Sequence, residues 1–110
     1  MDVSGDKKDF NPIYASLPDG PIKNKVKEVI QSLKADSIVG EHLKKENIPS
    51  YYIERHKVQI LYRVALPQRW RLIYTLLTLN EGEKPKALLL ELMDHDKYNK
   101  RFGYFKRKSA

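Results

Sequence analysis

Val58-Gln59-Ile60-Leu61-Tyr62-Arg63-Val64-Ala65-Leu66, then Pro67-Gln68-Arg69, then Trp70 to Leu79 is the stretch that decides the fold. The first run is β-branched and aromatic, the proline-led triplet reads as a turn, and the second run is apolar at nearly every residue. Glu81-Gly82-Glu83-Lys84-Pro85 is a second strong turn, and Ala87 to Met93 follows as a third strand. Short turns between successive strands predict an antiparallel meander. Strands apolar on both alternating sets of residues predict a sheet covered on both faces.

Working outward towards the N-terminus, Ile22, Val26, Val29, Ile30 and Leu33 fall at helical spacing and predict an amphipathic helix over Ile22–Leu33. Asp19 or Gly20 caps it, and Pro21 sits in its first turn, where a missing N–H costs nothing. The lysines on its other faces read as solvated surface. Ala35 to Leu43 reads as a short second helical turn broken at Gly40, Ile48-Pro49 closes the helical part, and β character resumes at Tyr51. The one expected helix covers a single face of the sheet. A partner chain is one candidate for the other.

The chain has 110 residues, the length of one domain. The expected organisation is a single domain over 1–110: a flexible arm over 1–13, a core over 14–105 and a basic tail over 106–110. The fold class is α+β, with an N-terminal amphipathic helix or helical hairpin on an antiparallel sheet of three to four strands and a short C-terminal helix or tail. Apolar residues make up 41% and charged residues 32%, which excludes wholesale disorder.

With 21 Lys and Arg against 14 Asp and Glu, the net charge is +7. A basic surface speeds encounter with polyanions, so nucleic acid, the ribosome or an acidic protein are the partner classes that charge favours. There is no cysteine, which excludes disulfides and thiolate chemistry. His42, His56 and His95 are too scattered for a metal site. His42 and His56 read as surface residues. No apolar run is long enough to span a bilayer, and MDVSGDKKDF lacks the apolar stretch of a signal peptide. The expectation is a cytoplasmic protein without metal, cofactor or membrane association.

Chemistry concentrates at two places. Arg71 stands inside an apolar strand, where an unpaired guanidinium is costly, so its partner is Glu91, Asp94 or a phosphate. Arg63 shares its parity, and alternation places both on one sheet face. From Asp94 onward the chain carries Lys97, Lys100, Arg101, Lys106, Arg107 and Lys108 interleaved with Tyr98, Phe102, Tyr104 and Phe105. Cations neutralise phosphates and rings stack on unpaired bases. The plainer reading is that the rings anchor a terminal helix and the lysines are solvated, and it is the preferred one for Phe102 and Phe105. His95, where the third strand ends, suits proton transfer at neutral pH. The plainer reading there is a capping residue between Asp94 and Asp96.

Arg69-Trp70-Arg71-Leu72-Ile73-Tyr74, an apolar strand, and then Asp94-His95-Asp96-Lys97-Tyr98-Asn99-Lys100-Arg101-Phe102-Gly103-Tyr104 resembles the RelE/ParE toxin superfamily. The upstream helix and Gly40-x-x-Leu43 agree in order and spacing, so the resemblance covers roughly residues 20–105. It implies the toxin component of a type II toxin–antitoxin system: a metal-independent, ribosome-associated endoribonuclease that cleaves mRNA by 2′-OH attack on the scissile phosphate. It assigns Arg71 to the phosphate, His95 to proton transfer and Tyr98 beside it as the catalytic set. Arg63, Lys97, Arg101, Tyr104, Lys106 and Arg107 are the expected RNA- and phosphate-binding residues. The implied partners are mRNA, the ribosome and a cognate antitoxin, and a homodimer is compatible with the pattern.

Two points depart from the family. Residues 10–15 do not read as an opening strand, and the family's catalytic lysine pair has no counterpart in Leu61–Val64. Glu54 is the candidate for the glutamate that some members use. These departures keep two alternatives open: a non-enzymatic ParE-like gyrase inhibitor or inactive RNA- or protein-binding relative, and a structural partner whose basic tail binds an acidic protein.

Overall fold

A computed structural model describes residues 1–78 and 80–103. Tyr104, Lys106, Arg107 and the rest of the basic tail lie outside the described residues. In chain order the elements are β1 (Val3–Gly5), α1 (Asn11–Ser16), α2 (Pro21–Lys34), β2 (Glu41–Leu43), α3 (Ser50–His56), β3 (Leu61–Ala65), β4 (Arg71–Leu77), β5 (Lys86–Met93) and α4 (His95–Phe102). The chain is α+β, built on one five-stranded sheet in the order β1-β5-β4-β3-β2.

The meander of β3, β4 and β5 is antiparallel, as the turns predict. The sheet is nevertheless larger than the expected three to four antiparallel strands, and it is mixed. β2 adds antiparallel to β3, and β1 adds parallel to β5. Both additions are three-residue strands, too short to display alternation in a sequence.

The first thirteen residues are therefore no flexible arm. Their backbone is tied to β5 by Ala87 N–H to the Asp2 carbonyl at 2.9 Å, Asp6 N–H to the Leu89 carbonyl at 2.8 Å, and Leu92 N–H to the Asp9 carbonyl at 3.2 Å. Asp6, Asp9 and Phe10 are buried. The segment looked loose because it is polar, but the polar groups are the ones that satisfy its turns. The Asp6 carboxylate accepts the backbone N–H groups of Lys8 and Asp9 at 3.0 and 2.6 Å.

α2 forms where its stripe predicts, with Gly20 as N-cap and Pro21 opening it. Val26, Val29 and Leu33 are buried against Val64, Leu66, Leu72, Tyr74, Leu89 and Leu92. Each such side chain contributes about 1.5–3 kcal/mol of transfer free energy on burial.

The second face of the sheet is covered by the chain itself. Tyr52 of α3 and Tyr98 of α4 pack with Leu61, Ile73, Leu90 and Met93 in a second core cluster. No partner chain is needed for that role. α3 occupies residues read as returning to β character. Tyr51, Tyr52 and Ile53 favour strands weakly, but helix places the Tyr52 ring in the core with its hydroxyl donating to Glu91 at 2.6 Å. Local propensity yields to that packing. Ala35–Gly40 is likewise turn, not helix, and it delivers Glu41 to the sheet edge.

β5 carries an irregularity opposite β4. Ile73 pairs with Glu91 while Tyr74 pairs with Leu89, leaving Leu90 as the extra residue. A bulge of this kind lets neighbouring residues share one face. Both Leu90 and Glu91 turn towards α3 and α4.

Candidate functional site

Cross-strand register places Arg71 opposite Ala65 and Arg63 opposite Ile73. The two arginines are diagonal neighbours on one face, as their shared parity predicts. The small Ala65 leaves open space between them. Gly40, Glu41, Arg63, Ala65, Arg71, His95, Tyr98 and Asn99 line the resulting cleft of about 590 Å³. Arg71, His95 and Tyr98, named from the sequence, thus meet in one place with Arg63.

Each side chain is held by an identifiable local cause. The turn between β3 and β4 closes through Leu66 N–H to the Trp70 carbonyl at 2.9 Å. The same carbonyl accepts an N–H of the Arg71 guanidinium at 3.0 Å. Gln68 and Arg69, in that turn, have φ of 59° and 64°, a conformation that costs non-glycine residues free energy. No carboxylate among the described residues forms an ion pair with Arg71. Glu91 is taken by other groups, and Asp94 caps α4 by accepting Lys97 N–H at 2.9 Å.

Tyr98 is buried under both arginines. The Arg71 and Arg63 guanidinium carbons lie 5.1 and 5.8 Å from its ring centroid, within cation–π range. Its hydroxyl accepts an N–H of Arg63. Arg63 also donates to Glu41 across the β2–β3 pair, its Nε lying 3.2 Å from Oε2. His95 is the first residue of α4, with Nε2 3.2 Å from the amide nitrogen of Asn99 one turn on. Its Nδ1 is buried and makes no hydrogen bond among the described residues.

Tyr74, buried in the core on the α2 side, anchors the backbone that leads into Gly40. Its hydroxyl donates to the Val39 carbonyl and accepts Val39 N–H at 3.2 Å. Burial pushes the Tyr74 phenol up to about 12, although the bond to the Val39 backbone pulls the other way. Gly40, next along, has φ of 92°, and a Cβ there would lie 2.7 Å from the Arg63 carbonyl oxygen. Only glycine lets this backbone approach β3 so closely.

Lys97 and Arg101, expected to bind RNA, stand elsewhere. Arg101 is bidentate on the fully buried Glu91, at 2.9 and 3.0 Å, with its guanidinium carbon 3.5 Å from the Tyr51 ring centroid. Lys97 lies 3.5 Å from the same carboxylate. Burial, the Glu91 charge and its hydrogen bond together raise the Tyr52 phenol well above its ordinary range. These groups hold α4 to the sheet. Phe102 packs against Tyr98 at 4.6 Å between centroids, the anchoring role preferred for it.

A neighbouring polar cluster ties the N-terminal segment to α3. Arg55 reaches Asp6 at 3.1 Å, and the Tyr51 hydroxyl donates to Asp9 at 2.5 Å. Burial of Asp6 favours its neutral form, but the backbone N–H groups of Asp9 and Lys8 and the Arg55 guanidinium outweigh it and lower its pKa. His56 is not the surface residue expected. Its side chain is 15% exposed and its Nε2 lies 3.3 Å from Asp6. His42 is exposed, and its ring rests on Tyr62. Among the described residues, no group of three or more His, Asp or Glu converges as metal ligands do, and no helix is long and apolar enough to cross a membrane.

Sequence reasoning gave Glu41, Gly40 and Asn99 no place in the site. Asn99 was legible once a helix starting at His95 was granted, since four residues is one turn. Glu41 was not, because nothing local marks a three-residue edge strand. Glu54, the acid proposed instead, is exposed on α3 and is not among the cleft's lining residues. Compared with protein-family models, curated proteins and solved structures, the chain matches none.

Proposed function

We propose that this protein is an endoribonuclease of the RelE/ParE type, a toxin that cleaves messenger RNA on the ribosome and is neutralised by a cognate antitoxin. The observation that carries the reading is the convergence of Arg63, Arg71, His95 and Tyr98, from β3, β4 and α4, in one open cleft. Two guanidiniums on one ring form a rigid anion seat, and the planar fork of arginine matches phosphate oxygens.

Arg71, which has no acidic partner among the described residues, binds the scissile phosphate, and Arg63 assists it. Tyr98 is a positioning residue that holds both guanidiniums. Glu41, the carboxylate of the cleft, takes the proton of the ribose 2′-OH as that oxygen attacks phosphorus. The P–O5′ bond breaks, and His95, in the same cleft as Arg71, gives a proton to the departing 5′-oxygen. The products are a 2′,3′-cyclic phosphate and a 5′-hydroxyl. Charge developing on the phosphoryl oxygens is met by groups already in place.

The test is to map mRNA cleavage on translating ribosomes with the parent chain, Arg71→Ala, His95→Ala and Glu41→Gln. Each substitution is expected to lower cleavage by about 10²-fold or more. Full activity in all three variants would reject the site, and an inactive parent would reject the enzyme.

A second reading, a gyrase inhibitor of the ParE type, is favoured by one observation. No lysine is among the described residues lining the cleft, whereas the ribonuclease branch uses a lysine pair. Loss of supercoiling activity without RNA cleavage supports that reading.

A further inference from the structure

Beside the cleft, and sharing Glu41 and Arg63 with it, lies a second pocket of about 270 Å³ lined by Glu41, His42, Leu43, Lys44, Asn47, Arg63 and Phe102. The two lie side by side at the β2–β3 edge, where Glu41 and Arg63 line both. Alternation along β2 sends Leu43 into the core on the α4 side and the His42 ring to the opposite face, against Tyr62. The polar side chains left to the pocket are those of Glu41, Lys44, Asn47 and Arg63. Phe102 supplies an aromatic surface and is itself braced by Tyr98 and Tyr52.

We propose that this pocket is a nucleobase subsite for the nucleotide next to the scissile phosphate. The proposal rests on the ribonuclease reading of the neighbouring cleft and adds the part that chooses sequence. A nucleotide bound there has its phosphate at Arg63 and Arg71 and its base beyond Arg63. The base stacks on Phe102, which every base can do. Asn47 closes the short 3₁₀ turn Lys45–Asn47, and its side-chain amide carries both a donor and an acceptor, the pairing needed to read a base edge. Lys44 adds a cation for the next phosphate along. Asn47 and Lys44 are exposed, so replacing them removes recognition without opening the core.

The experiment uses the full chain and 5′-labelled 2′-O-methyl trinucleotides, which cannot be cleaved. Each position is varied through the four bases or made abasic, and binding is read by fluorescence anisotropy at low salt. The expected result is one position at which the abasic probe binds about tenfold more weakly and the four bases differ. Asn47→Ala should abolish the difference among bases while leaving the abasic penalty. Arg71→Ala should weaken every probe yet keep the preference. If the parent binds but no position discriminates, or the preference survives in Asn47→Ala, the subsite is overturned and the ribonuclease reading stands. If the parent binds no trinucleotide at all, the subsite is overturned, and the ribonuclease reading is decided separately by cleavage on translating ribosomes.

Discussion

The Arg71 guanidinium sits over the face of the Tyr98 ring, 5.1 Å from its centroid. With no acidic partner among the described residues, this arginine has its charge stabilised by a ring quadrupole and by the backbone carbonyl of Trp70. This keeps the cation oriented while leaving its remaining N–H groups for a ligand.

Separating ring from hydroxyl at Tyr98 tests that arrangement. Tyr98→Phe removes the acceptor for Arg63 but keeps the ring under Arg71. It should cost about 1 kcal/mol in urea unfolding and leave phosphate-analogue affinity within a few-fold of the parent. Tyr98→Ala should cost about 3–5 kcal/mol. A larger loss of affinity than of stability in Tyr98→Phe would instead place the hydroxyl in contact with the ligand.

Glu91 is fully buried and bidentate on Arg101. Glu91→Gln leaves that guanidinium without its counter-charge and should destabilise the fold by about 3–5 kcal/mol. In a cycle of Glu91→Leu, Arg101→Leu and the double change, the double should cost much less than the sum of the single changes. Thermal unfolding of the four proteins of the cycle measures the coupling directly, and additive effects would contradict it.

Gly40→Ala probes the wall of the cleft. A Cβ would meet the Arg63 carbonyl oxygen at 2.7 Å in a backbone with φ of 92°. The expected cost is at least about 1 kcal/mol, with weaker ligand binding because Glu41 shifts with it. Gly82, with φ of 86° and nothing within 4 Å of a built Cβ, is the matched control for strain alone. Equal effects at the two sites on both stability and binding would dismiss the steric account.

Acid should loosen the N-terminal segment. The Asp6 pKa in the folded protein lies below its ordinary value of 3.8. Its contribution to stability is therefore present above that value and is lost as pH falls through the lowered folded-state pKa. Asp6→Asn should lower stability at pH 7 and flatten the pH dependence below about 4. Parallel curves for parent and variant in urea titrations from pH 7 to pH 2.5 would show that Asp6 does not carry the acid sensitivity.

The sequence by itself determined the central architecture: the α2 stripe, the turn at Pro67–Arg69, the meander of β3, β4 and β5, and the placement of Arg63 and Arg71 on one face. Helical and strand periodicity over seven or more residues is a local property, and chain order is enough to read it. It also singled out His95, as a titratable residue where the third strand ends, and Tyr98, as a ring interleaved with a run of cations. Tertiary structure alone decided the edges of the sheet, the covering of its second face and the fate of each charge. β1 and β2 exist because a partner strand offers them hydrogen bonds, and α3 because the Tyr52 ring has a core to enter. Arg71, Arg63 and Arg101 look alike in the sequence. Arg101 is bidentate on the buried Glu91, Arg63 is shared between Glu41 and Tyr98, and Arg71 forms an ion pair with no acid among the described residues; only the spatial distribution of carboxylates distinguishes them.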